Sequence, residues 1–149
     1  NHLVKPDGQG QVRALRSALA DAALTPGDID YVNAHGTATH EGDPVEVQAL
    51  KAVFGDAAAA LPVSATKSMH GHLMGAAGAI EALVTVLALR EQSIPPTAHL
   101  HGRLDPLCEG VQHVTQGQSG VALRAALSNS FAFGGSNAVL AFRAPNNLQ

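Results

Sequence analysis

From Gln9 to Leu24 apolar residues return every three or four positions, with Val12, Leu15, Leu19 and Ala23 on one face and Arg13 and Arg16 off it. That period predicts an amphipathic helix, ended by Thr25-Pro26-Gly27-Asp28. Ile29 to Asn33 is a short β-rich run that opens into a loop at His35-Gly36-Thr37. A second helix is predicted with Asp43 as N-cap and Pro44 at its first position, running to Phe54 before Gly55. Leu61 to Ala65 predicts the next short strand, followed by a polar loop. A long helix is then expected from about Gly71 to Glu91, apolar on nearly every face and therefore buried. Its segment Gly75-Ala76-Ala77-Gly78-Ala79 lowers helix propensity, which implies that small residues admit another backbone there. Pro95-Pro96 opens an irregular connection, and late strands are predicted near Val121 to Ser128 and Asn137 to Phe142.

This alternation of helices and strands predicts an α/β domain, a mixed sheet layered with helices. No repeat and no long linker divides the 149 residues, so one domain over 1–149 is expected. With four Phe, one Tyr and no Trp, the core has to be built from Ala, Val, Leu and Ile, and 15 glycines favour close packing. A net charge of −3 with scattered Lys and Arg offers no basic stripe for nucleic acid. No apolar run reaches the roughly 20 residues that span a bilayer. Asn1-His2-Leu3-Val4-Lys5-Pro6 lacks the apolar stretch of a signal peptide, and a start without Met reads as a fragment. The single Cys108 excludes an internal disulfide and suits a reducing compartment, so a cytoplasmic location is expected.

Three polar loops interrupt the apolar elements: Asn33 to Thr39, Ser64 to His72, and Ser128 to Gly135. Ligands of α/β sheets gather beyond the carboxyl ends of strands, which makes these loops the candidate site. A histidine in such a loop can simply tie down a turn through hydrogen bonds to backbone. Glycine beside each of His35 and His72 points instead to close approach of backbone or ligand. At the start of a long helix and near Lys67, His72 is expected to stay neutral and to donate an N–H to an oxyanion or enolate. His70-Gly71-His72 with His35 and His40 also invites a metal reading. No cysteine accompanies them, no His-Glu-x-x-His helix is present, and Lys67 would oppose a dication, so no catalytic metal is expected.

These loops resemble the condensing-enzyme branch of the thiolase superfamily. Asn33-Ala34-His35-Gly36-Thr37-Ala38-Thr39 with Gly42-Asp43 is similar to its N-x-H-G-T-x-T…G-D element. Thr66-Lys67-Ser68 through Gly71-His72 to Gly75-Ala76-Ala77-Gly78-Ala79 is similar to T-K-S…G-H…G-A-A-G-A. Asn129-Ser130-Phe131-Ala132-Phe133-Gly134-Gly135-Ser136-Asn137 resembles N-S-F-G-F-G-G-T-N. Within that branch the nearest likeness is to elongating β-ketoacyl-acyl-carrier-protein synthases, and it extends over essentially the whole chain. The resemblance implies the C-terminal half of a thiolase-like fold and an acyltransferase of fatty acid or related polyketide synthesis. In that reaction malonyl-carrier protein loses carbon dioxide and the carbanion attacks an acyl thioester held on cysteine.

By the same resemblance His35 and His72 assist decarboxylation, Lys67 organises them, and Thr37 and Thr39 bind the phosphopantetheine arm. Phe133 is implied as a gate with Phe131 as its neighbour. Glu81 with Asn33, Ser128 and Asn137 is implied to surround a structural cation or water, an ion pair of Glu81 with Lys67 being the rival. No cofactor is implied beyond the carrier's phosphopantetheine, and the implied partners are the N-terminal half, acyl carrier protein and a second copy in a homodimer. The family's nucleophilic Cys belongs to the preceding half, and Cys108 matches nothing catalytic. His40, His70 and Ala132 depart from the family pattern, and Ala132 would be strained if its position required φ > 0. A chain-length-factor-like subunit and a thiolase are the competing readings.

Overall fold

The structure is a computed structural model that describes residues 4–100 and 104–145; the reading of Asn1 to Leu3 as part of no leader lies outside them. Helix α1 spans Gly8–Asp21 and is capped by Asp7, whose carboxylate accepts the Gly10 N–H at 3.0 Å. It ends before the predicted Leu24 because Ala23 turns to φ 49° and Leu24 N–H bonds back to Leu19 C=O, a Schellman-like closure. Strand β1 (Tyr31–Asn33), helix α2 (Gly42–Phe54) and strand β2 (Pro62–Ser64) follow. Next come the single turn α3 (Lys67–His70) and helix α4 (Ala77–Glu91). The remaining strands are β3 (Ser93–Ile94), β4 (Gln112–His113), β5 (Gln118–Ser119), β6 (Ala125–Phe131) and β7 (Asn137–Arg143).

Five strands form one sheet in the order β4-β2-β1-β6-β7, with β7 the only antiparallel member; β3 and β5 pair in a separate antiparallel ribbon. Val32 is level with Val63 and Leu127, and Asn33 with Ser64 and Ser128. Because side chains alternate across a strand, this register sorts the sheet into two unlike faces. One face sends Val32, Val63, Ala125 and Leu127 against Leu15 and Leu19 of α1 and Val47 and Leu50 of α2. The other sends Tyr31 and Ala126 against Ala88 and Leu89 of α4, and buries Asn33, Ser64 and Ser128 beside Glu81 and Thr85. The layers are therefore α1 and α2, sheet, α4.

Helix α4 corrects two expectations. It begins at Ala77 rather than Gly71, because Gly71 (φ 77°) and Met74 (φ 51°) take backbone angles that a right-handed helix excludes. It is also buried on one face only. Ala77, Glu81, Thr85, Ala88 and Leu89 are covered, whereas Leu83, Val86 and Leu87 are 52%, 43% and 36% exposed. Of its small residues, Gly78 has a packing reason, since a Cβ there would lie 3.2 Å from Ser130 Oγ; Gly75 faces open space. No helix among the described residues is long and apolar enough to cross a membrane.

Candidate active site

The three polar loops leave the carboxyl ends of the parallel strands β1, β2 and β6, and so arrive at one edge of the sheet. There they line an open cleft of about 990 Å³ whose wall includes His35, Thr37, Thr39, His72, Phe131 and Phe133. Lys67 is not in the wall. It lies behind it.

His35 is positioned from two sides. Gly36 turns at φ 41° so close to the residue after β2 that a Cβ would meet Ala65 Cβ at 2.5 Å, which only glycine tolerates. From below, the Glu46 carboxylate of α2 accepts the backbone N–H of His35 at 2.9 Å and of Gly36 at 3.0 Å, and the Asn129 amide at 2.9 Å. Burial pushes the Glu46 carboxyl above the usual range, against the lowering effect of the Gly36, Asn129 and His35 hydrogen bonds. Glu46 has no place in the sequence reading. Its only signal is that it stands four residues before Leu50 on the buried stripe of α2, where a carboxylate needs donors.

Lys67 packs behind His35. Its ammonium donates to His35 C=O at 2.5 Å, approaches His35 Nδ1 at 3.4 Å, and forms an ion pair with Glu81 of α4. The two side chains are 5% and 0% exposed, so neither charge has water as an alternative partner. With the Lys67 ammonium against Nδ1, the His35 proton belongs on Nε2. Burial, then Lys67 and His72, push the imidazole of His35 down to about 4.

The ring of His72 stands edge-on to that of His35, with centroids 5.6 Å apart and planes at 85°. It does not sit at a helix N-terminus as expected, since α4 starts only at Ala77. Its neutral donor form comes from another source: Met74 N–H donates to His72 Nδ1 at 3.2 Å, which leaves Nε2 to carry the proton. Two imidazoles thus have their Nδ1 atoms occupied and their Nε2–H groups free beside one cleft. Such a pair suits an oxygen on which negative charge develops.

Phe131 is buried against His35, centroids 6.2 Å apart, whereas Phe133 is 69% exposed at the cleft mouth. Ala132 between them has φ −125°, ordinary extended backbone, so alanine carries no strain there; Gly134 (φ 73°) and Gly135 (φ 76°) make the turn instead. The hydroxyls of Thr37 and Thr39 lie 3.3 Å apart, and Thr39 Oγ1 accepts the Gly42 N–H at 3.1 Å. Asp43 is not the N-cap of α2, which is Glu41. Its carboxylate instead accepts backbone N–H groups of Thr39, Ala38 and Thr37, and burial raises it above its ordinary value despite them.

Around Glu81 the structure brings together three of the four residues expected at a cation or water. Asn33 donates to Glu81 C=O at 3.3 Å, and Ser128 is level with Asn33 on the same face of the sheet. Asn137 is level with Phe131 on the opposite face and donates to Gly135 C=O. Glu81 Oε2 and Ser128 Oγ are buried without a hydrogen-bond partner. Cys108 is buried on the α2 side, its thiol pushed up to about 11 by burial, then by Asp43, Asp105 and Glu46, which makes it a poor nucleophile. No group of three or more metal-ligating His, Cys, Asp or Glu residues occurs among the described residues.

The family described as "Beta-ketoacyl synthase, C-terminal domain" matches residues 1–101. The chain belongs to the β-ketoacyl synthase family. Over 141 residues it is 49% identical to "Nodulation protein E" of Rhizobium leguminosarum bv. trifolii, covering 95% of this chain and 34% of that protein. Over 138 residues it is 46% identical to "3-oxoacyl-[acyl-carrier-protein] synthase 2" of Staphylococcus aureus, covering 93% and 34%. The ishigamide ketosynthase/chain length factor superposes with a TM-score of 0.91 at 38% identity, over 97% of this chain and 35% of that one. A type II polyketide ketosynthase solved with its acyl-carrier protein superposes at 0.90 and 33% identity, over 97% and 36%. The fold is therefore the ketosynthase fold, α/β and thiolase-like, and the chain spans about a third of the length of its relatives.

Proposed function

We propose that residues 1–149 act as one domain that supplies the histidine side of a decarboxylating Claisen condensation between an acyl thioester and malonyl-acyl-carrier protein. The observation that carries this reading is the pair of rings at 5.6 Å, each with Nδ1 occupied and Nε2–H free at the cleft. In the reaction the bond between the malonyl α-carbon and its carboxylate breaks, carbon dioxide leaves, and the electron pair stays on the α-carbon. That charge delocalises onto the thioester oxygen, where the Nε2–H donors of His35 and His72 stabilise it. The carbanion then attacks the acyl carbonyl, a carbon–carbon bond forms, and the cysteine thiolate departs. Lys67 works without touching substrate: burial first and then its positive charge keep His35 neutral, and Glu81 balances that charge in the interior.

The nucleophilic cysteine is assigned to a preceding half, and the exposed apolar face of α4 to contact with that half or with a second copy in a homodimer. Thr37 and Thr39 would bind the phosphopantetheine arm of acyl carrier protein, and Phe133 would gate the acyl chain. The orphaned oxygens of Glu81 and Ser128 fit a water molecule or a monovalent cation with Asn33; Lys67 beside them disfavours a dication. The location is cytoplasmic. The arrangement of His35, Lys67 and His72 favours a catalytic ketosynthase over a chain-length-factor-like subunit, and thiolase chemistry would not need two donors on a decarboxylation enolate. In the full-length enzyme, His72→Ala is expected to abolish carbon dioxide release from malonyl-carrier protein while acyl transfer to cysteine remains measurable. Undiminished release removes His72 from the chemistry.

A further inference from the structure

His70, the residue of the second loop that departs from the family pattern, is bound at both ring nitrogens. Nδ1 lies 2.8 Å from Gly71 C=O, and Nε2 lies 3.2 Å from Thr66 Oγ1. A carbonyl oxygen only accepts, so Nδ1 must carry a hydrogen. The second contact is decided further inside. Asn33 places its Nδ2 on Glu81 C=O, again an acceptor only, which turns its Oδ1 toward Thr66. The single hydroxyl proton of Thr66 is donated to that Oδ1 at 3.2 Å. Thr66 Oγ1 is then left to accept from His70, so Nε2 must carry a hydrogen as well. A ring that donates from both nitrogens is an imidazolium.

A neutral His70 cannot keep this set. Either its bare Nδ1 faces the Gly71 carbonyl, or Thr66 turns its proton to Nε2 and strands Asn33 Oδ1, in a residue with no exposure. The first loss frees the peptide between Gly71 and His72. The second disturbs Asn33, which holds α4 at Glu81, the partner of Lys67. Among the described residues, the titratable groups on this turn and on the elements packed around it are Lys67, His72, His35, Tyr31, Glu81 of α4, and His99. His99 lies on the segment fastened to α3 by Ala98 N–H on Ser68 Oγ. Lys67 opposes a charge on His70 and Glu81 offsets it.

We propose that His70 is a positioning residue whose imidazolium fixes the Gly71–His72 peptide and the Thr66–Asn33 bridge, so that the aim of His72 responds to pH. The catalytic consequence rests on the functional reading above; the structural one does not. In the full-length enzyme, decarboxylation of malonyl-carrier protein is expected to fall about fivefold as His70 loses its proton, the effect of one hydrogen bond of average net strength. His70→Thr, which removes the titrating group, is expected to lose that step while keeping the rest of the profile. Nitrogen-15 spectra of histidine-labelled full-length protein, recorded over the pH range in which it stays folded, give an independent readout: on the acid side of the His70 transition both its ring nitrogens should be protonated, and the His72 signals should shift together with that transition. A neutral His70 across this range, or His72 signals indifferent to its titration, overturns the proposal. So does the same pH profile in wild type and His70→Thr. If the enzyme releases no carbon dioxide but the spectra behave as expected, the functional reading fails and the positioning role stands.

Discussion

The two faces of the sheet do different work. On the α1 and α2 side Val32, Val63 and Leu127 meet Leu15, Leu19 and Leu50 in an apolar core, and this face is where burial stabilises the fold. On the α4 side, at the same level of the same strands, stand Asn33, Ser64 and Ser128, followed by Thr66, Lys67, Glu81 and Thr85, all buried. A one-residue step along β1, from Val32 to Asn33, crosses from one regime to the other. Buried charge and amide groups stabilise a fold little compared with well-packed hydrocarbon of the same volume. The α1 and α2 face also buries Gln11, Glu46 and Asn129, but the linked row of polar groups on the α4 face is explained by the site at its edge: Lys67 needs Glu81, and His35 needs Lys67.

The largest expected effect breaks the polar face directly. Lys67→Met leaves the Glu81 carboxylate buried and unpaired, and should destabilise the domain by about 3–5 kcal/mol in denaturant unfolding. Lys67→Met combined with Glu81→Leu should recover most of that stability yet show no malonyl decarboxylation. A double variant as unstable as the single one would mean that this pair serves the fold rather than the chemistry. Leu50→Ala, on the opposite face, should cost about 2–4 kcal/mol. Its decarboxylation rate at a temperature well below unfolding should match wild type, and a matching loss of rate would erase the contrast between the faces.

Smaller effects sharpen the comparison. His35 is held down at about 4, against roughly 6.5 for a free imidazole, so between these values the unfolded chain binds the proton and the folded one does not. The stability contributed by its neutral form is complete above about pH 6.5 and is lost as pH falls toward 4. In His35→Ala that part of the acid-side slope should disappear, as measured by unfolding at stepped pH. Phe133, exposed at the cleft mouth, should change stability by no more than about 0.5 kcal/mol on replacement by alanine. Condensation in Phe133→Ala should slow or change its chain-length preference, and unchanged kinetics would demote the gate.

How much of this is legible in the sequence depends on whether the informative residues are neighbours in the chain. The loops at Asn33, Thr66 and Asn129 are contiguous motifs, and the structure brings His35, Lys67 and His72 together from them. The start of α4 is not legible, because Gly71 to Ala76 reads as helix unless the positive φ of Gly71 and Met74 is known. Nor is the exposure of Leu83, Val86 and Leu87, since an apolar periodicity says that a face needs cover without saying which residues provide it. Glu46 escapes because its partners, two loop amides and Asn129, are distant in sequence. Asn137 is assigned by motif to the group around Glu81, yet its register with Phe131 puts it on the other face. Period-2 alternation decides that placement, and it needs the pairing of β6 with β7.

The central claim is that His35 and His72 act on one oxygen. The measurement that tests it most directly is the rate of carbon dioxide release from malonyl-carrier protein by full-length enzyme carrying His35→Ala, His72→Ala or both. Residues that stabilise the same developing charge act as a unit, so the double variant should lose little more than the worse single one. Losses that multiply would contradict the account, because they would place the two rings at separate points of the reaction.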